Sequence, residues 1–237
     1  MKKILIANLA GGVGKTSIVH SIATAAAEYG KQALAIDADP AASLTYLCGI
    51  ENPRFTAREL FDGSERIEKV AVKVVDRFSL VPSASRLIHA DFLSTDSKTS
   101  KDLMDQFESY DLVIFDSPTG PSPILTRLIS LSDQVISPID GSIHSVRGLL
   151  NLRDFVAKSS NRPRLRALEN RPVEWDPELR ANVVGDFNLL DHVIRNDISL
   201  SNSQLSTRSV LTELPHSEIA ADFRELTYTL LEEIGLF

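Results

Sequence analysis

The chain is predicted to fold as an α/β protein, a doubly wound, mainly parallel sheet flanked by helices, in one domain spanning residues 1–237. Short apolar runs alternate with amphipathic stretches along the whole length, the pattern of parallel strands joined by crossover helices. The first run, Ile4-Leu5-Ile6-Ala7, feeds a glycine turn that opens directly into a helical stretch. Hydrophobic residues make up 43% of the 237, enough for a core in one domain of ordinary size.

Taken in order, the first strand is expected at 3–8, and the helix after the glycine turn at 15–29, where Gly30 is a good stop. A strand at 32–37 ends in an acid. Residues 49–76 read as an irregular surface insertion with short helices. A strand at 79–82 and a helix at 100–109 follow. The run 112–116 is apolar until its terminal Asp116, as a buried strand would be. A helix at 124–132, a strand at 134–139 and a helix at 145–159 continue the alternation, with a weaker strand at 164–169. The helix at 177–187 opens on Asp176-Pro177, an N-cap acid followed by proline in the first turn. A strand at 189–194, a second irregular stretch at 196–212 and a helix at 217–234 complete the chain.

Composition removes several classes. No apolar run approaches the ~18 residues of a membrane span. Met1-Lys2-Lys3 runs into the first strand, so no signal peptide is expected. Cys48 is the single cysteine, which excludes an intramolecular disulfide and suits a reducing cytoplasm. The five histidines have no metal-ligand spacing. A net charge of -7 does not attract nucleic acid globally, so any such binding needs a local patch.

Residues 8–17 read Asn-Leu-Ala-Gly-Gly-Val-Gly-Lys-Thr-Ser. A strand, a glycine turn and a helix in this order form a phosphate cradle: Gly11, Gly12, Val13 and Gly14 turn backbone N–H groups inward, and the helix start presents its positive end. Lys15 supplies a point charge to the outer phosphates, Thr16 a hydroxyl for Mg²⁺, and Ser17 completes the nucleotide-binding set. The spacing departs from G-x-x-x-x-G-K-[ST], with Leu9 where the first glycine belongs. This variant resembles the deviant Walker A box, K-G-G-x-G-K-[ST], of the ParA/MinD group of P-loop ATPases, with Ala10 at the signature lysine.

The similarity runs on. Asp37-Ala38-Asp39-Pro40-Ala41 resembles the family's switch I, D-x-D-P-Q; the two carboxylates are expected on opposite faces, with Asp39 toward the phosphates. The resemblance assigns catalysis to Asp39, orienting the attacking water, and to Lys15. Asp116-Ser117-Pro118 resembles the D-x-P of switch II, and the magnesium shell is assigned to Thr16, Asp39 and Asp116. Asp133-Gln134-Val135-Ile136-Ser137-Pro138, Val193-Ile194-Arg195-Asn196 and Phe223-Arg224-Glu225-Leu226 match further family segments. By this alignment Asn170 reads adenine, unless it is a loop asparagine with no ligand, and Pro215 joins the nucleotide-binding set.

The resemblance implies ATP and Mg²⁺ as cofactors, an ATP-dependent homodimer, and slow hydrolysis stimulated by a small ParB-like or McdB-like adaptor. The acidic last helix, with Glu225, Glu232 and Glu233, speaks against membrane attachment, and one cysteine against iron–sulfur carriage. The positioning branch remains, acting over the nucleoid on a plasmid, chromosome or carboxysome through non-specific DNA binding; the missing lysine is similar to the McdA subgroup. The basic stretch Lys158, Arg162, Arg164, Arg166 and Arg171 is the DNA candidate, with Arg195 and Arg208 as extensions; alternatively it is a solvated face. Arg147 or Lys158 would replace the signature lysine in trans, unless both only coat a helix. An ATP-dependent ligase resembling dethiobiotin synthetase, and a non-hydrolysing nucleotide-switched scaffold, are the rival functions.

Overall fold

The structure, a computed structural model, describes residues 1–89, 97–172 and 175–237. Its strands are β1 (Lys2–Ile6), β2 (Ala33–Asp37), β3 (Val72–Val75), β4 (Phe78–Val81), β5 (Leu112–Asp116), β6 (Gln134–Ile139), β7 (Arg164–Asn170) and β8 (Asn188–Ile194). They form one sheet in the order β3-β4-β2-β5-β1-β6-β7-β8, parallel throughout except for the β3–β4 hairpin. The helices are α1 (Lys15–Glu28), α2 (Ser43–Leu47), α3 (Ala57–Phe61), α4 (Ile67–Val70), α5 (Ser97–Asp105), α6 (Pro123–Leu131), α7 (Ile143–Lys158), α8 (Pro177–Asp186), α9 (Ile198–Leu205), α10 (Val210–Glu213) and α11 (Glu218–Glu233).

The two-residue period of β1 divides the core. Ile4 and Ile6 pack with Ile18 and Ile22 of α1 and Phe223 and Leu226 of α11. Leu5 and Ala7 pack on the other face with Leu60 of α3, Leu128 of α6 and Leu152 of α7. Burial on both faces is why the central strands read as unbroken apolar runs.

One element departs from expectation, and another is stronger than its sequence suggests. The stretch 49–76 contains strand β3, which is short, exposed and antiparallel at the sheet edge, so neither apolar periodicity nor a glycine turn marks it. The weak strand at 164–169 is a seven-residue interior strand between β6 and β8. Its charges disguised it: Arg166 is buried against Glu233 of α11, and Glu169 accepts both Nε and Nη2 of Arg180 at 3.1 and 3.2 Å.

Candidate active site

β1 and β5 lie side by side, with β2 beyond β5, so their carboxyl ends open onto one crevice, where ligands bind in such sheets. The loop after β1 reaches α1 through Gly12 and Gly14, at φ +76° and +89°, a conformation that favours glycine. α6, α7, α8 and α11 each begin on a Ser or Asp whose side chain accepts from the first turn. α1 begins on Gly14 and has no such cap, leaving its first N–H groups to face the crevice.

The loop is braced from three sides. Asn8 donates to the carbonyls of Pro138 and Ser145 at 2.9 and 3.1 Å, and its Oδ1 accepts from Ala10 N at 2.8 Å. Gly148 of α7 lies so close that an added Cβ would strike Asn8 Oδ1 and come within 2.8 Å of Ala10 N. Ala10 is thus enclosed under α7, 2% exposed. From β7, Asn170 donates to Val13 O at 2.7 Å and Arg171 to Gly12 O at 2.5 Å.

The crevice, about 290 Å³, is lined by Gly12, Gly14, Lys15, Thr16, Ser17, Asp39, Ser43, Thr119 and Arg171. Lys15 Nζ donates to Ala10 O at 3.0 Å and Thr119 Oγ1 at 3.3 Å. Burial lowers its pKa, while Asp116 and Asp39 act to raise it. Asp116 is fully buried at the end of β5. Burial and the neighbouring Asp37 push its pKa well above the carboxylate range; the Thr16 hydroxyl and Lys15 oppose them, yet neither carboxylate oxygen has a hydrogen bond of ordinary geometry. A buried acid with both oxygens unpartnered, beside a lysine, a threonine and an uncapped helix start, is a donor set that fits a hard divalent cation carried by phosphates.

The switch I acids differ from expectation. Residues two apart in a strand share a face, so alternation cannot separate Asp37 from Asp39. What separates them is the end of β2 at Asp37. Asp37 points into the core and accepts from Thr45 N and Oγ1 at 2.8 and 2.7 Å, with its pKa raised to about 6 by burial. Asp39 lies beyond the strand, where its Oδ1 accepts from Ala41 N at 2.9 Å, and lines the crevice.

The remaining candidates scatter. Ser17 Oγ accepts from Gln204 Nε2 at 2.5 Å. Asn170 keeps a buried Oδ1 without a partner, while Pro215 lies exposed between α10 and α11 and does not line the crevice. The proposed DNA arginines form no common face. Arg164 is exposed at the amino end of β7, whereas Arg195 follows the carboxyl end of β8 and is ion-paired with Asp222 and Glu218. Arg208 is exposed near α10. Arg166 is 5% exposed and neutralised by Glu233, so it is withdrawn from that surface. Arg171 leaves it too, for the crevice. Arg147 and Lys158 are both exposed on α7, and Lys158 lines a separate groove of about 660 Å³ between α6 and α7 with Arg127 and Pro121. Thr119, Ser43 and Asn8 were not singled out from sequence; only their nearness to the three motifs signals them.

A parallel sheet whose first strand feeds an uncapped glycine loop, with buried acids at the next two strand ends, defines the P-loop nucleotide-binding class. The AAA domain family AAA_31 matches residues 1–167. The chromosome-partitioning ATPase Soj of Thermus thermophilus is 30% identical over 99% of this chain and 97% of its own. A Cyanothece McdA variant in complex with ATP superposes with TM-score 0.80 at 20% identity over 97% of this chain and 96% of its own. The septum site-determining protein MinD of Pyrococcus horikoshii with Mg-ADP gives 0.82 at 21% over 99% and 98%. The chain therefore belongs to the AAA_31 family and, within it, to the ParA/MinD-type P-loop ATPases.

Proposed function

We propose that this chain binds Mg²⁺–ATP in the crevice, dimerises around it, and hydrolyses it slowly to position a cargo on DNA. The uncapped start of α1 converging with Lys15 and the unpartnered Asp116 carries the reading. Backbone N–H groups of 11–17 take the phosphates, with Lys15 as the side-chain cation. Thr16 and Asp116, with Asp39, would hold Mg²⁺, which when bound neutralises charge on the phosphates. Asp39, outside the strand and facing the crevice, orients water for attack. The unpartnered Asn170 Oδ1 has the chemistry to accept from the exocyclic amine of adenine, but it is 1% exposed and outside the crevice lining, which weighs against it as the base reader.

The cytoplasmic, nucleoid-associated role rests on the 30% identity to a chromosome-partitioning ATPase, as does a ParB-like or McdB-like adaptor. Exposed Arg162 and Arg164, with Arg208 beside Glu213, are the cations left to a DNA surface, and Arg147 and Lys158 are the candidates to meet a partner's phosphates in trans. Calorimetry with Mg²⁺–ATP tests the core of this proposal. The parent binds, and Lys15→Ala loses on the order of 2–3 kcal/mol or more, the worth of a charged hydrogen-bonding group in a partly dry site. Equal affinity in the two proteins removes the reading.

A further inference from the structure

We infer that Arg171 is a phosphate-binding residue that acts in cis, supplying from the end of β7 the second crevice cation that position 10 lacks. Arg171 has this role only if the crevice takes a nucleoside triphosphate, as proposed above. Its backbone sits at φ +50°, uncommon for a residue with a side chain, and its N–H donates to Ile194 O at 2.7 Å. That turn sends the side chain back across the glycine loop, where Nη2 donates to Gly12 O. A Cβ built on Gly14 would lie 3.7 Å from the same nitrogen, while one on Gly12 would meet nothing within 4 Å. The guanidinium therefore spans the loop beside open space, in the crevice that also holds Lys15, Thr16 and Asp39.

Charge points the same way. Arg166, Arg180, Arg195 and Arg224 each hold a carboxylate, whereas Arg171 has none among the described residues. Its one side-chain partner is a neutral carbonyl, to which a phosphate oxygen is the stronger acceptor. Lys15, the other cation lining the crevice, already faces Asp116 and Asp39. A triphosphate entering with Mg²⁺, one lysine and two acids still leaves the crevice net negative, and a cation held beside Gly12 offsets part of that charge. Asn170, bonded to Val13 O, anchors the preceding residue to the loop, so the arginine is held in place before any ligand arrives. Arg147 and Lys158 differ in kind: both are exposed on α7, and neither lines the crevice.

Calorimetry on the full chain with Mg²⁺–ATP and Mg²⁺–ADP, at several protein concentrations, separates the possibilities. The expected result is that Arg171→Gln loses about tenfold or more in ATP affinity and less for ADP. The loss should be independent of protein concentration, and Arg171→Lys should restore most of it. Melting curves confirm that both variants are folded, and Arg171→Lys carries the test if Arg171→Gln is not. An unchanged ATP-to-ADP ratio in Arg171→Gln overturns the role. So does an equal loss in the lysine variant, which would make Arg171 a brace for Gly12. A deficit present only where dimers form overturns action in cis. Failure of the nucleotide reading is recognised separately: the parent binds no ATP, or Lys15→Ala binds as well as the parent.

Discussion

Asp39 and Asp37 are chemically identical and two positions apart, yet one is committed to the core and the other to the crevice. Asp37 is held by Thr45, whose hydroxyl in turn accepts from Ser83 N at 2.8 Å, so it ties β2 to α2 and to the end of β4. Asp39 bonds only to its own turn and stays available to a ligand. Replacing Asp39 by alanine should therefore cost less ATP affinity than Lys15→Ala, since Thr16 and Asp116 still hold Mg²⁺, and slow phosphate release by about 10²- to 10⁴-fold, the usual worth of a positioned acid–base group. Hydrolysis at the parent rate would show that another group orients the water.

A second residue-scale test concerns His20 on α1, which is 5% exposed and packs near Phe78 with ring centroids 6.2 Å apart. Burial lowers its pKa from 6.5 to about 4. A depressed folded pKa gives a contribution present above the unfolded value of 6.5 and lost as pH falls toward 4. Urea denaturation should show about 2 kcal/mol of stability lost through this group between pH 7 and pH 5. His20→Leu should flatten that part of the profile; an equally steep acid loss in the variant would place the proton uptake elsewhere.

Elements meet at the loop through a glycine that the strand–helix alternation does not explain. Gly148 lies inside α7, where glycine weakens a helix relative to alanine, and its use is close approach: α7 rests on Asn8 and Ala10 with no room for a methyl group. Gly148→Ala should cost about 1–3 kcal/mol by overpacking, and should weaken ATP binding by displacing the loop that α7 covers. Thermal unfolding and calorimetry check both; a variant as stable as the parent would mean that α7 shifts freely. The same scale explains the arginine-rich stretch. In sequence it is a basic run, but a strand sends Arg164 to solvent at its first residue, Arg166 to Glu233, and Arg171 past its end into the crevice.

At the scale of the whole molecule, two triphosphates brought together across an interface repel strongly in a partly dry site. Ala10, enclosed beneath α7, supplies no charge against that repulsion. Light scattering after size exclusion, with a non-hydrolysable ATP analogue, should show a doubling of mass, and Arg147→Ala with Lys158→Ala should shift the protein back toward monomer. A parent that stays monomeric removes the nucleotide-sandwiched dimer. The dimer should also bind DNA regardless of sequence, with each neutralised phosphate contributing about -0.9 to the log–log salt slope. Arg164→Glu should weaken that binding while leaving ATP affinity alone.

The sequence by itself determined the strand order's raw material and the three motifs. Apolar runs on two-sided strands and a glycine turn before a helix are local patterns, and residues 11–17 and Asp116 follow from them, whereas the choice of Asp39 over Asp37 needed the observed end of β2. The sequence also showed that the signature lysine is Ala10. Tertiary structure alone decided which charges are available. Arg164, Arg166, Arg171 and Arg195 are equivalent as letters, and their fates differ because burial, a carboxylate from α11 or the end of a strand reaches each of them from distant parts of the chain. The edge strand β3 belongs there too, since its pairing with β4, not its composition, makes it a strand. Local periodicity records which face of an element is buried; it carries no record of what comes to lie against that face.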